Sequence, residues 1–145
     1  MDKGLAVILM AAVGGLLALQ APINAGLGRV TGTMSAALIS FAIGTVALAA
    51  VVTLSGKAGD LGAATDANWY YLIGGLLGAV YVFTALVLVK EIGAGGVAAA
   101  TIASQLTTAV ILDRIGAFGL EQTPLTWERW LGVALLFGGT YLVVR

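Results

Sequence analysis

An all-α fold, a polytopic membrane helix bundle of five transmembrane helices, is what the sequence predicts, and three observations predict it. Of the 145 residues, 60% are apolar and only 10% are charged, against about 25% charged in an ordinary soluble domain. So few charges could not cover a compact soluble surface. The charges also sit at the ends of long runs. Lys3 to Arg29 encloses 25 residues without formal charge, Arg29 to Lys57 encloses 27, Asp66 to Lys90 encloses 23 and Glu91 to Asp113 encloses 21. A spanning helix needs about 20 apolar residues. These unbroken runs also lack the alternation at period two that β-barrel strands carry over about ten residues. The chain therefore reads as one transmembrane domain, residues 1–145, with spans at about 4–28, 35–55, 69–89, 95–115 and 127–144.

Span one begins after Lys3 and runs into Gln20-Ala21-Pro22-Ile23-Asn24. It has the outline of a signal peptide, but Ala18–Ala21 reads Ala-Leu-Gln-Ala and lacks the small-x-small cleavage pattern. Pro22 removes a backbone donor and predicts a kink, freeing the carbonyl of Ala18. Gly26-Leu27-Gly28-Arg29 predicts the helix end, Thr31-Gly32-Thr33 a turn, and Ser35 the N-cap of span two. Ser55–Asn68, rich in Gly and Asp, reads as an aqueous loop. Trp69, Tyr70 and Tyr71 mark the interface where span three starts. Ile92–Gly96 reads as a short loop that makes spans three and four antiparallel neighbours, and Gly116–Thr126 as the next loop. Trp127 and Trp130 mark the last interface. The fifth run, Trp130 to Val144, has 15 residues, roughly 22 Å of helix. It spans only if Leu125–Arg129 joins it with Glu128 and Arg129 snorkelling, or if the bilayer thins.

Several chemistries are excluded. The chain has no cysteine and no histidine, which removes disulfides, thiolate chemistry, Cys/His metal sites and an imidazole proton switch. The net charge of zero offers nothing to nucleic acid. There is no Ser/His/Asp set, no phosphate-binding glycine loop and no carboxylate pair in a soluble cleft. No cofactor or metal is implied, and the chain does not read as an enzyme.

The polar residues inside the spans are the candidates for function. Thr101, Ser104, Gln105 and Thr108 recur at i, i+3, i+4 and i+7, one face of span four. An amide and three hydroxyls on one membrane helix face should meet protein or water; they are either interhelical glue or a ligand-facing wall. Gln20 and Asn24 share a face of span one across Pro22. Kinked helices with freed backbone groups mark many transporter sites, although a kink near the interface with Asn24 capping the helix end is the plainer alternative. Small residues four apart, Gly74 with Gly78 and Ser40 with Gly44 after Ala36, let helices approach closely. At Ser40 they leave room for a ligand in the sharper reading. Tyr81 is a candidate aromatic wall or a core residue. Asp113, next to Arg114 at the end of span four, is an interfacial ion pair or anchor, or a carboxylate that gates or titrates. No acid lies at the middle of any span, which argues against the simplest proton-coupled cation antiport.

Three segments, Gln20-Ala21-Pro22-Ile23-Asn24-Ala25-Gly26-Leu27-Gly28, Gly74-Gly75-Leu76-Leu77-Gly78-Ala79 and Ala103-Ser104-Gln105-Leu106 with Leu112-Asp113, together resemble the YdcZ-like five-helix family of the drug/metabolite transporter superfamily. The resemblance covers the whole chain in order. It implies a five-helix unit that is half of a ten-helix inverted-repeat transporter, and a role in moving small molecules across a bacterial inner membrane. The superfamily's small multidrug members use a glutamate in the first helix. The corresponding helix here carries Gln20 and no acid.

The expected function is small-solute transport, export by resemblance, through alternating access between two copies of the chain, since five helices with little polar lining are few to enclose a pathway. A passive channel and a non-transporting assembly subunit are the alternatives. Partners expected are a small-molecule substrate, the lipid bilayer and a second copy in an antiparallel homodimer. With five spans, Lys3, Lys57, Arg114 and Arg129 fall on one side of the membrane, and Arg29, Lys90 and Arg145 on the other. That near-balance sets no preferred orientation. With four spans Arg145 would join the first group and a bias would appear. Gln20, Asn24 and Gln105 are expected to converge on one polar cavity near the dimer centre.

Overall fold

A computed structural model of the chain describes residues 2–145, the side chain of Lys3 excepted, so that cation's position in the charge balance lies outside the described residues. The described residues are all-helical: α1 (Lys3–Thr31), α2 (Thr33–Leu54), α3 (Trp69–Leu72), α4 (Gly74–Ile115) and α5 (Trp127–Val144), with 3₁₀ turns at Ala58–Asp66 and Ala117–Gly119. The chain divides into two compact units, Met1–Lys90 and Glu91–Arg145. Among the described residues, three segments are long and apolar enough to cross a membrane: Gly4–Thr31, Thr33–Leu54 and Trp69–Ile115. The last has 47 residues, more than twice the about 20 that one crossing needs. α5 is not among them, because Trp127, Glu128, Arg129 and Trp130 open it.

In the first unit α1 does not end at Gly26–Arg29, where the glycines predicted a stop. It continues through Pro22 to Thr31. Packing overrides propensity here. Gly28 is buried, and a methyl placed on it would lie 3.6 Å from Ala36 Cβ and from Thr33 Cα and 3.9 Å from Leu86 Cδ2. Three helices therefore meet at one small residue. The break comes at Gly32 alone, with φ 86° and ψ 151°, a region nearly reserved for glycine. Its N–H donates to the Gly28 carbonyl at 3.0 Å and its carbonyl accepts from Ala36 N–H at 3.0 Å. The N-cap of α2 is thus Gly32, and Ser35, predicted for that role, is an exposed residue inside the helix. Ala36, Val82 and Leu86 form the buried core, with Leu27, Ala37 and Tyr81 against them. The segment 55–68 is exposed throughout, as an aqueous loop should be. Trp69 and Tyr70 stack edge to face, ring centroids 6.2 Å apart, at the start of α3.

Ile92–Gly96 is not a loop. α4 is helical on both sides of one residue, Gly93, whose φ of 71° and ψ of 169° interrupt it. A single glycine interrupts the helix where the sequence suggested a five-residue loop, because only glycine takes this conformation without strain.

The second unit is a helical hairpin. The contacts of 94–115 with α5 run in opposite senses. Arg129 Nη1 lies 3.4 Å from Asp113 Oδ2 at one end, and a methyl on Gly96 would lie 3.3 Å from Val144 Cγ2 at the other. Between them the Thr140 hydroxyl, hydrogen-bonded within its own helix to Leu136 O at 2.8 Å, is also 3.0 Å from Ala99 O. Val97, Ala103, Val110 and Val133 are buried. The connection 116–126 folds back on the helix it leaves. Thr123 N–H donates to Asp113 O at 3.0 Å, and Gln122 Nε2 to Ile115 O at 3.3 Å. These bonds satisfy carbonyls that a helix C-terminus leaves open.

Outside these contacts the helices present their apolar side chains outward. Leu5, Val7, Ile8, Met10 and Leu16 of α1 and Leu135 and Leu142 of α5 are all exposed. In water such a surface would aggregate; in lipid it is the solvated face.

Candidate solute-binding site

Asn24 is the one buried polar residue among those described, 6% exposed, and its Nδ2 has no hydrogen-bond partner. It sits on the face of α1 that meets the 74–90 part of α4. The i, i+4 spacing puts Gln20 one turn earlier on the same face. Opposite them stand Tyr81, Val82, Ala85 and Leu86, again one turn apart in pairs. Together with Leu17 and Ala21 these residues enclose a cavity of about 10 Å³, the room of a single water at most. Gln20 and Tyr81 are half-buried. The carboxamides and the phenol give the cavity both donors and acceptors and no formal charge.

The structure brings together Gln20, Asn24 and Tyr81 of the sequence candidates. Ser40 is half-buried on α2 and does not line this cavity. Thr101, Ser104, Gln105 and Thr108 belong to the second unit, on 94–115. There Ser104 Oγ donates to the Thr101 carbonyl at 3.0 Å, so its hydroxyl is satisfied within the helix. Gln105 and Thr108 are exposed, while Ala103 and Val110 of the same helix are buried. Asp113 pairs with Arg129 and not with the adjacent Arg114. Consecutive helical residues point about 100° apart, whereas the hairpin returns Arg129 beside Asp113.

Sequence reasoning missed a second concavity in the first unit. A pocket of about 440 Å³ is lined by Pro22, Ala25 and Arg29 of α1 and Val89 and Lys90 of α4. The signal was available: each basic residue closes an uncharged run, and α1 and 74–90 run in the same sense, so both ends lie together.

Apolar helices of spanning length, lipid-facing side chains and a carboxamide cavity between two helices define a polytopic membrane protein. The family described as "Putative inner membrane exporter, YdcZ" matches residues 5–142. The chain belongs to this family, whose description is that of a membrane transporter and not of an enzyme. It is 30% identical over 150 residues to the inner membrane protein YdcZ of Escherichia coli strain K12, covering 100% of this chain and 98% of that protein. No solved structure matches. The protein is a bacterial inner-membrane protein.

Proposed function

We propose that the chain is one half of a small-solute exporter, in which two oppositely inserted five-helix copies form the pathway and expose the solute alternately to either side. The observation that carries this reading is Asn24: a buried amide donor without a partner, beside Gln20 and Tyr81, in a helix seam too tight for solute. An unsatisfied buried donor costs about 1–3 kcal/mol. It persists where function uses it, here as a solute contact that completes when the seam opens. The family's description as an exporter supports the direction.

Five crossings are supported by the second unit. α5 follows 94–115 from Arg129 to Val144, so a membrane that holds one holds the other. The pairing of Arg129 with Asp113 softens the cost of the charged turn that makes α5 look too short. The exposed face of Gln105 and Thr108 is costly against lipid, and a second copy is the occupant that would cover it. On this arrangement Gln105 of one copy joins Asn24 of the other at the central cavity. Gating by Asp113 is the weaker reading, since its carboxylate is engaged at the hairpin end.

The test is flux in proteoliposomes. A panel of small solutes is loaded inside, and efflux is measured with and without unlabelled solute outside. Saturable, counter-solute-stimulated flux is expected. Non-saturating flux would make the chain a channel, and no flux with tight binding to another membrane protein would make it an assembly subunit.

A further inference from the structure

We propose that the Arg29–Lys90 pocket is an oxyanion site, which takes the carboxylate or phosphate of a small amphipathic molecule between two cations and an apolar wall. Two positive side chains, one from each helix, line the same pocket of about 440 Å³. No acid lines it, and Glu91, next in sequence to Lys90, is outside the lining. Among the described residues neither cation has an ion-pair or hydrogen-bond partner; the ion pair found is Arg129 with Asp113. Both are exposed. The remaining walls, Pro22, Ala25 and Val89, are apolar. That combination fits a molecule with one anionic end and one hydrocarbon part. Arg29 offers a planar fork suited to two oxygens, and Lys90 a point charge for a third.

A second observation points the same way. The pocket and the Asn24 cavity are separate concavities built by the same two helices, the pocket one turn further along both. On α1 the cavity uses Gln20 and Asn24 and the pocket uses Ala25 and Arg29; on α4 the cavity uses Tyr81 and Leu86 and the pocket uses Val89 and Lys90. Arg29 is five residues beyond Asn24, roughly 7.5 Å along the helix. The orphan Nδ2 of Asn24 is a donor, so it too calls for an acceptor oxygen. The two cations attract an oxyanion to this end of the helix pair and repel a cation.

The same chemistry is carried by a free organic anion and by an anionic lipid headgroup. The test uses the purified full-length chain in phosphatidylcholine nanodiscs. Phenyl phosphate is titrated, with phenyltrimethylammonium as its charge-reversed counterpart, and the thermal unfolding midpoint is followed. Phenyl phosphate is expected to raise the midpoint and phenyltrimethylammonium to leave it unchanged. Arg29→Gln with Lys90→Gln should weaken the phosphate response by about tenfold or more, as expected for losing charge-assisted bonds, while Arg29→Lys retains most of it. If the double variant does not fold, Lys90→Gln alone supplies the comparison. Equal responses to both probes, no response to phenyl phosphate, or a response that survives the Gln substitutions would overturn the site. Repeating the titration with phosphatidylglycerol in the nanodisc separates the sources. Competition identifies the headgroup as occupant and its absence a free solute, and either leaves the oxyanion chemistry standing. Since the readout is binding, the site can fail while export holds, and the reverse.

Discussion

Arg129 reaches across the turn to Asp113, Nη1 to Oδ2 at 3.4 Å, and ties the two helices of the Glu91–Arg145 hairpin together at their turn end, across 16 residues of sequence. The two side chains are 33% and 37% exposed, so water competes for both. Exposed pairs of this kind contribute about 0.2–1 kcal/mol. The backbone holds the same end independently through Thr123 N–H to Asp113 O. Asp113→Asn should therefore lower stability by no more than about 1 kcal/mol and leave transport and its pH profile intact. Flux measured across pH for the variant checks this. Loss of pH dependence in the variant would give Asp113 a gating role instead.

Asn24→Leu separates a binding amide from structural glue. Leucine has a similar branched shape and removes the unpartnered Nδ2. If the amide serves the solute, the variant keeps or gains stability, by about 1–3 kcal/mol at most, and loses transport. If the amide held helices together, stability would fall. Chemical unfolding in detergent beside proteoliposome flux gives both readings from one preparation.

At Gly93 the backbone alone decides. A methyl there would meet nothing within 4 Å, yet φ is 71° and ψ 169°. Gly93→Ala should cost about 1–3 kcal/mol through strain. Gly14→Ala, in the open helical stretch of α1 with nothing within 4 Å, should be neutral or stabilise by about 0.5–1 kcal/mol. Unfolding midpoints of the two variants compare strain against helix propensity in one protein. Equal midpoints would show that the Gly93 conformation is dispensable.

Charge-free runs and aromatic borders made the helices legible: Trp69, Ile115 and Trp127 fall where the sequence placed them. The misplaced boundaries were those where glycine carries two meanings. Gly28 looked like a stop and is a close-packing residue inside α1; Gly93 looked like part of a loop and is the whole interruption. Local pattern cannot distinguish these, because the deciding contacts, Ala36 and Leu86 around Gly28, lie on other helices. The i, i+4 pair Gln20 and Asn24 was readable, and Tyr81 joined them. Arg129 as partner of Asp113 was not, since it depends on the hairpin register.

The last prediction concerns orientation. Asp113 and Arg129 share one end of the hairpin, so Arg114 and Arg129 belong to one side of the membrane if 94–115 and α5 both cross. Lys3 and Lys57 then join them, and Arg29, Lys90 and Arg145 lie opposite. Four against three leaves almost no bias to fix insertion, and comparable numbers of chains should insert each way. Opposed copies would reproduce the two-fold relation in the membrane plane that inverted-repeat transporters build within one chain. Gly59 is the position to probe. It lies in the exposed segment 55–68, and a methyl added there meets nothing within 4 Å. The chain has no cysteine of its own. Gly59→Cys in intact cells should be labelled partly by an impermeant reagent from outside, with the remainder accessible only after permeabilisation. Labelling wholly from one side would fix a single orientation, and the antiparallel dimer would fall with it.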